Sequence, residues 1–582
     1  MNRFLSTLAT IWRLSAPYFR SEDRLAGRAL LAAVIAIELA LVGIDVLINT
    51  WNNRFYNALQ DRNWDAFVSE LLYFCGLAAA FILLAVYQLY LNQWLQIRWR
   101  RWMTERYLGH WLTGANHYRM QLLGDAADNP DQRIAEDVNL FVASTLTIGI
   151  GLLSSVVTLV SFVFILWTLS AAAPLVLFGT DMSIPGYLVW AALIYAVVGT
   201  GFTHLIGWPL VNLNFNQQRY EADFRFNLVR VRENAEQIAL LEGETAETGR
   251  LLNRFSNVVR NWHAIMTRQK RLTFFTAGYR QASVVFPYIV VSPAYFSGAM
   301  QLGGLMQTAS AFNSVQNALS FFINTYRSLA EWAAVIERLE GFDTAVANAS
   351  AAAVTPPVIE VKAQPKHDSV DIDNLAVRLP NNRRLVDADG ISIGAGDRVL
   401  VTGPSGSGKS TLFRAIAGIW PFGSGTITVP ADAKVMLLPQ RPYFPVARLG
   451  SAVCYPAVPD TFEPAQIAEA VRAVGLPGMT ERLEEDGHWN RMLSLGEQQR
   501  LGVARALLHA PDFLFLDEAT ASLDEPGEAA LYRLLQERLP RTTIVSIGHR
   551  STLAAFHRRR LTLVPEGDGY RVRETALEPA AE

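Results

Sequence analysis

The stretch Gly403-Pro-Ser-Gly-Ser-Gly-Lys409-Ser410-Thr411 satisfies G-x-x-x-x-G-K-[ST] at every fixed position. It follows the apolar run Arg398–Thr402 and precedes Leu412–Ala417, so it is predicted to join a strand to a helix. That placement constrains the fold. Gly403, Gly406 and Gly408 let the backbone curl until its N–H groups converge, and the helix N-terminus behind them adds partial positive charge. Such a cradle, with Ser405 and Thr411 at its rim, suits phosphates. Lys409 would reach the β- and γ-phosphates, and Ser410 would ligate Mg²⁺. The bland alternative is a chance glycine-rich turn, and the rest of the chain argues against it.

About a hundred residues on, Pro511-Asp-Phe-Leu-Phe-Leu-Asp517-Glu518 is an apolar strand ending in two carboxylates. Asp517 is placed to hold Mg²⁺, and Glu518 to polarise an attacking water as general base. A buried strand with a polar end would look the same, but the spacing to a P-loop favours the chemical reading. Between the two lies Leu493-Ser494-Leu495-Gly496-Glu497-Gln-Gln-Arg500, followed by a helical pattern. This resembles the signature of ATP-binding cassette (ABC) ATPases, usually LSGGQ, with Leu495 for Gly and Glu497 for Gln. Ser494 and Gly496 retain a hydroxyl and a glycine at a helix N-terminus.

The resemblance extends to further elements in family order. Gln440, after the strand Val435–Leu438, looks like the Q-loop glutamine, which also approaches the metal. Ser522-Leu523-Asp524 looks like the D-loop, and His549, after Thr543–Ile547, like the switch histidine. The resemblance implies an α/β ATPase with a RecA-like core and a helical subdomain, using ATP and Mg²⁺. It also implies that each ATP is enclosed between the P-loop of one subunit and the signature of another. One element departs. The position of the adenine-stacking aromatic is Leu379, before Pro380, so adenine is expected to meet apolar contact or an aromatic from elsewhere.

The chain has 582 residues, of which 51% are hydrophobic, and its long apolar runs fall before about residue 330. A bilayer core of about 30 Å needs roughly 20 mostly apolar residues. On that measure six spans are expected, near 29–48, 71–92, 146–169, 184–207, 280–300 and 305–326. Pro287 and Pro293 interrupt the fifth, and polar side chains fill the sixth. The tracts 93–140 and 211–271 are rich in arginine, whereas 170–183 and 297–304 carry no Lys or Arg. By the positive-inside rule both termini and both large loops are cytoplasmic. A membrane domain over 1–342, a linker over 343–368 rich in Ala with Pro356-Pro357, and an ATPase over 369–582 are expected. A net charge of −2 gives no case for nucleic acid, and Cys75 and Cys454 imply neither a disulfide framework nor a metal site. No cleavable signal is seen after Met1.

Two cytoplasmic tracts alternate charged and apolar residues at helical spacing: Gln96–Thr104 with Asn129–Asp137, and Glu221–Phe226 through Glu244. Long amphipathic helices account for both. Together with Asn49-Thr-Trp-Asn-Asn-Arg-Phe-Tyr-Asn-Ala-Leu-Gln60 and Gly304–Phe312, they resemble the SbmA/BacA membrane domain. The whole chain is similar to bacterial fusions of that domain to an ATPase, the YddA-like and BacA-like peptide transporters, and to peroxisomal acyl-CoA half-transporters. That resemblance implies an exporter-type ABC fold with six transmembrane helices, a homodimer in the bacterial inner membrane amid lipid, and uptake of peptides or other hydrophilic molecules.

The residues themselves bear on cargo. Glu38 lies near the middle of the first span and Asp45 seven residues on, nearly on one face. A carboxylate at the bilayer centre costs at least ~2.5 kcal/mol, so it needs a watery cavity or a partner. A structural pair, with His204 or Arg280 for instance, and a cavity that attracts cations or takes a proton both fit. The sixth span carries a stripe of Gln307, Ser310, Asn313, Ser314, Asn317, Ser320 and Asn324. Such a stripe should line a hydrated path, favouring a bulky hydrophilic cargo over a lipid. An exporter of lipid, acyl-CoA or drug, and an ATP-gated regulatory ATPase without net transport, are the alternatives.

Overall fold

The computed structural model of the chain describes residues 2–124, 129–172, 175–177, 180–182, 184–458 and 461–575. They form two compact units. One comprises Met1–Leu108 and Asn129–Gly341, the other Gly109–Asp128 and Phe342–Glu582.

The first unit is built from long helices: Arg24–Gln60, Trp64–Leu112, Val138–Ala172, Tyr187–Glu233, Glu244–Phe296, Leu302–Leu319 and the start of Phe321–Ala352. Four helical stretches, Arg24–Gln60, Trp64–Leu123, Pro130–Ala171 and Tyr187–Glu233, are long and apolar enough to cross a membrane. They contain the first three expected spans and 187–207 of the fourth. The fifth is helical as far as Phe296 and the sixth on either side of Ser320, and neither reaches that threshold among the described residues. Pro287 and Pro293 lie inside Glu244–Phe296, and the 305–326 tract is divided at Ser320 into two helices.

Polar side chains join these helices where apolar faces alone would slide, because backbone and amide groups out of water need partners. Asn49, Asn53 and Asn57 recur every fourth residue on Arg24–Gln60 and therefore share one face. Asn49 donates to the Gln307 carbonyl at 3.0 Å, Asn53 to Gln307 Oε1 at 2.8 Å, and Asn57 Oδ1 accepts from the Gly303 amide at 2.8 Å. Gly303 permits this approach, since a Cβ there would stand 1.9 Å from the Asn53 carbonyl oxygen. A second clasp is reciprocal. Tyr195 OH donates to the Tyr279 carbonyl at 2.6 Å and Tyr279 OH to the Tyr195 carbonyl at 2.9 Å, with the rings stacked 4.5 Å apart.

In the second unit an eleven-stranded sheet carries the fold. Its centre is parallel: Phe513–Asp517 lies between Val435–Leu438 and Thr543–Ile547, and Arg398–Thr402 between Thr543–Ile547 and Arg559–Glu566. At the middle of the sheet, Phe513–Leu516 and Thr543–Ile547 are buried along their length because both faces are covered. Helices Leu449–Cys454, Pro464–Ala473 and Leu495–His509 form a helical subdomain around buried Leu449, Val471, Trp489 and Leu501.

Two boundaries differ from expectation. The 343–368 tract is not a free linker along its length: the helix Phe321–Ala352 enters it, and Glu360–Gln364 is a strand paired in parallel with Gly423–Pro430. A β-edge hydrogen-bonds whatever extended chain passes beside it, which Ala and Pro content does not reveal. The short helix Asn116–Leu123 also groups with the ATPase unit, not with the helices flanking it in sequence. Its Tyr118 and Leu122 pack against the main ATPase core.

Candidate nucleotide-binding site

The P-loop lies where the sequence places it, between the strand Arg398–Thr402 and the helix Lys409–Ile416. Its shape depends on glycine. Gly403, Gly406 and Gly408 have φ of +151°, +76° and +95°, the region side-chain-bearing residues avoid. A Cβ on Gly408 would also meet Val386 Cγ2 at 2.6 Å, because the strand Arg384–Ala388 runs against the loop. Lys409 is buried, and its Nζ donates to the Gly403 and Pro404 carbonyls at 2.9 Å each. Burial pushes the ammonium down, while Glu518 and Asp517 hold it up. Ser405 is exposed on the loop and Thr411 is buried in the first helical turn.

Asp517 ends the central strand, and Ser410 Oγ donates to its Oδ1 at 2.8 Å. Burial raises the Asp517 carboxyl above the usual range, opposed by that hydrogen bond and by Arg414 and Lys409. A hydroxyl and a carboxylate so close, beside a P-loop, form the oxygen donor set that Mg²⁺ prefers. The residues present fit the metal.

Glu518 is the next residue and has a left-handed φ of +50°. Its amide donates to the Ile547 carbonyl at 3.1 Å, tying it to the neighbouring strand. The carboxylate is held from two sides: Gln440 Nε2 donates to Oε2 at 3.1 Å, and His549 Nε2 lies 3.1 Å from Oε1. Three residues from three loops thus converge. Ser494 caps the helix Leu495–His509 in a capping box with Glu497. Ser494 Oγ and Glu497 Oε2 are 2.8 Å apart, so the Glu that departs from the usual signature engages the signature hydroxyl. Gly496 lies against Leu523, a Cβ there standing 3.3 Å from Cδ2. Asp524 caps the next helix, accepting from the Gly527 amide at 3.3 Å.

Leu379 is half-buried and packs on the ATPase core, and nearby Trp420 is buried there too, its Nε1 donating to the Arg378 carbonyl at 2.8 Å. Neither is an exposed stacking surface. Sequence reasoning passed over Gln499, which lies in the quoted Gln-Gln-Arg run and is almost fully buried. It also passed over Glu528, buried and bonded to Thr520 at 2.6 Å and Arg550 at 3.4 Å.

The membrane residues expected to line a cavity have mixed placements. Glu38 accepts from Gln88 Nε2 at 2.6 Å. Asp45 and Asn317 are exposed, and Asn313 is half-buried. Gln307 uses both its side-chain oxygen and its carbonyl on Asn53 and Asn49. The Asn324 side chain lies outside the described residues.

Comparison with known proteins matches the chain over most of its length. Residues 14–296 match the family described as ABC transporter transmembrane region 2, and residues 387–521 match the ABC transporter family. The chain is 34% identical over 539 residues to the inner membrane ABC transporter ATP-binding protein YddA of Escherichia coli, covering 92% of this chain and 94% of YddA. It is 24% identical over 601 residues to the human lysosomal cobalamin transporter ABCD4, covering 97% and 95%. The structure of a bacterial Atm1-family ABC exporter with ATP bound superimposes with a TM-score of 0.69 at 18% identity, over 94% of each chain, a likeness of fold. ABC half-transporters of this family function as dimers, hydrolyse ATP and use Mg²⁺. A membrane region joined to a P-loop ATPase, related over nearly its whole length to YddA, makes this chain a member of the ABC half-transporters.

Proposed function

We propose that the chain acts as a homodimer of six-span subunits that moves peptides or other bulky hydrophilic molecules across the bacterial inner membrane, in the direction of uptake, with termini in the cytoplasm. The observation that carries the ATP-driven part is the convergence of Gln440 and His549 on the Glu518 carboxylate, beside the Ser410–Asp517 pair.

The roles follow from that geometry. Gly403 to Thr411 would cradle the phosphates, with Lys409 exchanging its loop carbonyls for phosphate oxygens of higher charge. Ser410, Asp517 and Gln440 would hold Mg²⁺. When bound, the metal neutralises charge on the phosphates as the terminal bond breaks. Glu518 would accept the proton of the attacking water, with Gln440 and His549 fixing its orientation. Ser494, Gly496 and Asp524 of one subunit would complete the site of the other, each chain having one P-loop and one signature. The helix Asn116–Leu123 offers a route from hydrolysis to the membrane helices, since Tyr118 and Leu122 sit on the ATPase core.

Several observations support a polar cargo: Asp45 and Asn317 are exposed polar groups on membrane helices, and one relative bears the name of a cobalamin transporter. The SbmA/BacA-like tracts support peptides and uptake. Accumulation of a labelled cationic peptide in cells expressing wild type or Glu518→Gln tests this. Energy-dependent accumulation only in wild type is expected. Energy-dependent loss of label would indicate export, and no difference would indicate a regulatory ATPase.

A further inference from the structure

Gln499 lies in the first turns of the helix Leu495–His509 and is 1% exposed. Both ends of its amide are engaged. Nε2 donates to the Gln440 carbonyl at 3.0 Å and, at a longer 3.5 Å, to the Glu518 carbonyl, while Oε1 accepts from the Ser522 amide at 3.0 Å. The orientation is unambiguous, because a reversed amide would place its oxygen against two carbonyls. One side chain therefore ties the signature helix to the Q-loop, the residue after Asp517, and the D-loop.

The consequences fall on two side chains at the reacting centre. The Gln440 carbonyl held by Gln499 belongs to the residue whose Nε2 reaches Glu518 Oε2 at 3.1 Å. Glu518 has a φ of +50°, a conformation that persists only where surrounding bonds over-determine it. Its amide is anchored on Ile547, and its carbonyl receives Ala521 at 3.1 Å in addition to Gln499. Removing Gln499 would leave backbone groups of two loops unmet in a buried place, and both loops would shift to recover partners. A shift of about 1 Å at a catalytic group can cost ~100-fold in rate.

We propose that Gln499 is a positioning residue for ATP hydrolysis, setting the Gln440 and Glu518 side chains against each other and reporting the placement of the signature helix to both. The proposal rests on Glu518 and Gln440 being the reacting-centre groups described above. Its test uses the full-length protein in detergent or nanodiscs, with steady-state ATPase kinetics and direct binding of radiolabelled ATP. Gln499→Glu keeps the shape but replaces the donor, and Gln499→Met keeps the length without polarity; if the first does not fold, the second decides. Both are expected to lower kcat roughly tenfold or more with ATP affinity within about threefold of wild type. Gln440→Ala/Gln499→Met should be no slower than the slower single variant, because the two act in one chain of contacts. A kcat within about twofold of wild type, a loss of affinity matching the loss of kcat, or losses that multiply in the double variant would overturn it. Glu518→Gln is the control. Should that variant stay active, the reading of the site fails; should it be inactive while Gln499→Met is normal, only the role of Gln499 fails.

Discussion

Asn53 and Gln307 are joined by a 2.8 Å hydrogen bond across 254 positions of sequence, inside the packed membrane unit. Both Gln307 oxygens are therefore engaged by the helix Arg24–Gln60. Gly303 makes the approach possible, for a Cβ there would lie 1.9 Å from the Asn53 carbonyl oxygen. Side-chain hydrogen bonds between membrane helices average about 0.6 kcal/mol, so Asn53→Ala and Gln307→Leu should show a coupling of that size in thermal unfolding. Gly303→Ala should reduce the yield of monodisperse protein sharply. Gly43→Ala, where a Cβ meets nothing, should be neutral or stabilising. Equal behaviour of the two glycine variants in size-exclusion profiles would contradict the packing.

Glu518→Gln should slow ATP turnover by ~100-fold or more while leaving ATP binding intact, since positioned acid–base groups contribute at least that much. His549→Ala should be milder, because Gln440 still holds the other carboxylate oxygen. The rates of the purified variants, with binding of labelled ATP beside them, decide both expectations. Turnover of Glu518→Gln near wild type would remove that residue from the chemistry.

His557 provides a pH dependence in the ATPase unit. Burial lowers its pKa from 6.5 to about 4, while Nδ1 lies 2.7 Å from the Leu553 carbonyl and Nε2 lies 2.9 Å from Ser546 Oγ. Between those values the unfolded chain binds a proton that the folded site refuses. Stability is thus fully present above pH 6.5 and is lost as the pH falls toward 4, by at most roughly 3 kcal/mol. Amide protection of the strand Thr543–Ile547 should fall between pH 7 and pH 5 in wild type. In His557→Asn the fall should be smaller; an equal fall would assign it to other groups.

Glu38 and Asp45 test the cargo reading. Neutralising both should reduce uptake of cationic peptides more than uptake of neutral hydrophilic solutes, each carboxylate contributing on the order of 1 kcal/mol across a partly hydrated cavity. The bond from Gln88 to Glu38 suggests a further comparison, Gln88→Leu, which should release Glu38 without changing its charge. Equal losses for charged and neutral solutes in the Glu38/Asp45 variant would make the carboxylates structural.

The ATPase was legible because its signals are local. A P-loop needs glycines at fixed offsets, a helix cap needs Ser494 ahead of its helix, and strands buried on both faces need unbroken apolar runs such as Phe513–Leu516. Each of these is a property of neighbouring residues, so the amino-acid order determined the strands, the loop and the residues that would face phosphate. The first four membrane spans were legible for the same reason, being long enough and apolar enough by themselves. Partnerships between distant residues were not. Which amide meets Gln307, why Gly303 must be small, that Gln88 meets Glu38, and that Gln499 binds two loops all depend on helices and strands brought together from far along the chain. A buried hydrogen bond depends on final geometry, and tertiary packing alone supplies that geometry. The strand Glu360–Gln364 makes the same point: its sequence reads as a connector, and it became a strand because the edge Gly423–Pro430 was beside it to pair with.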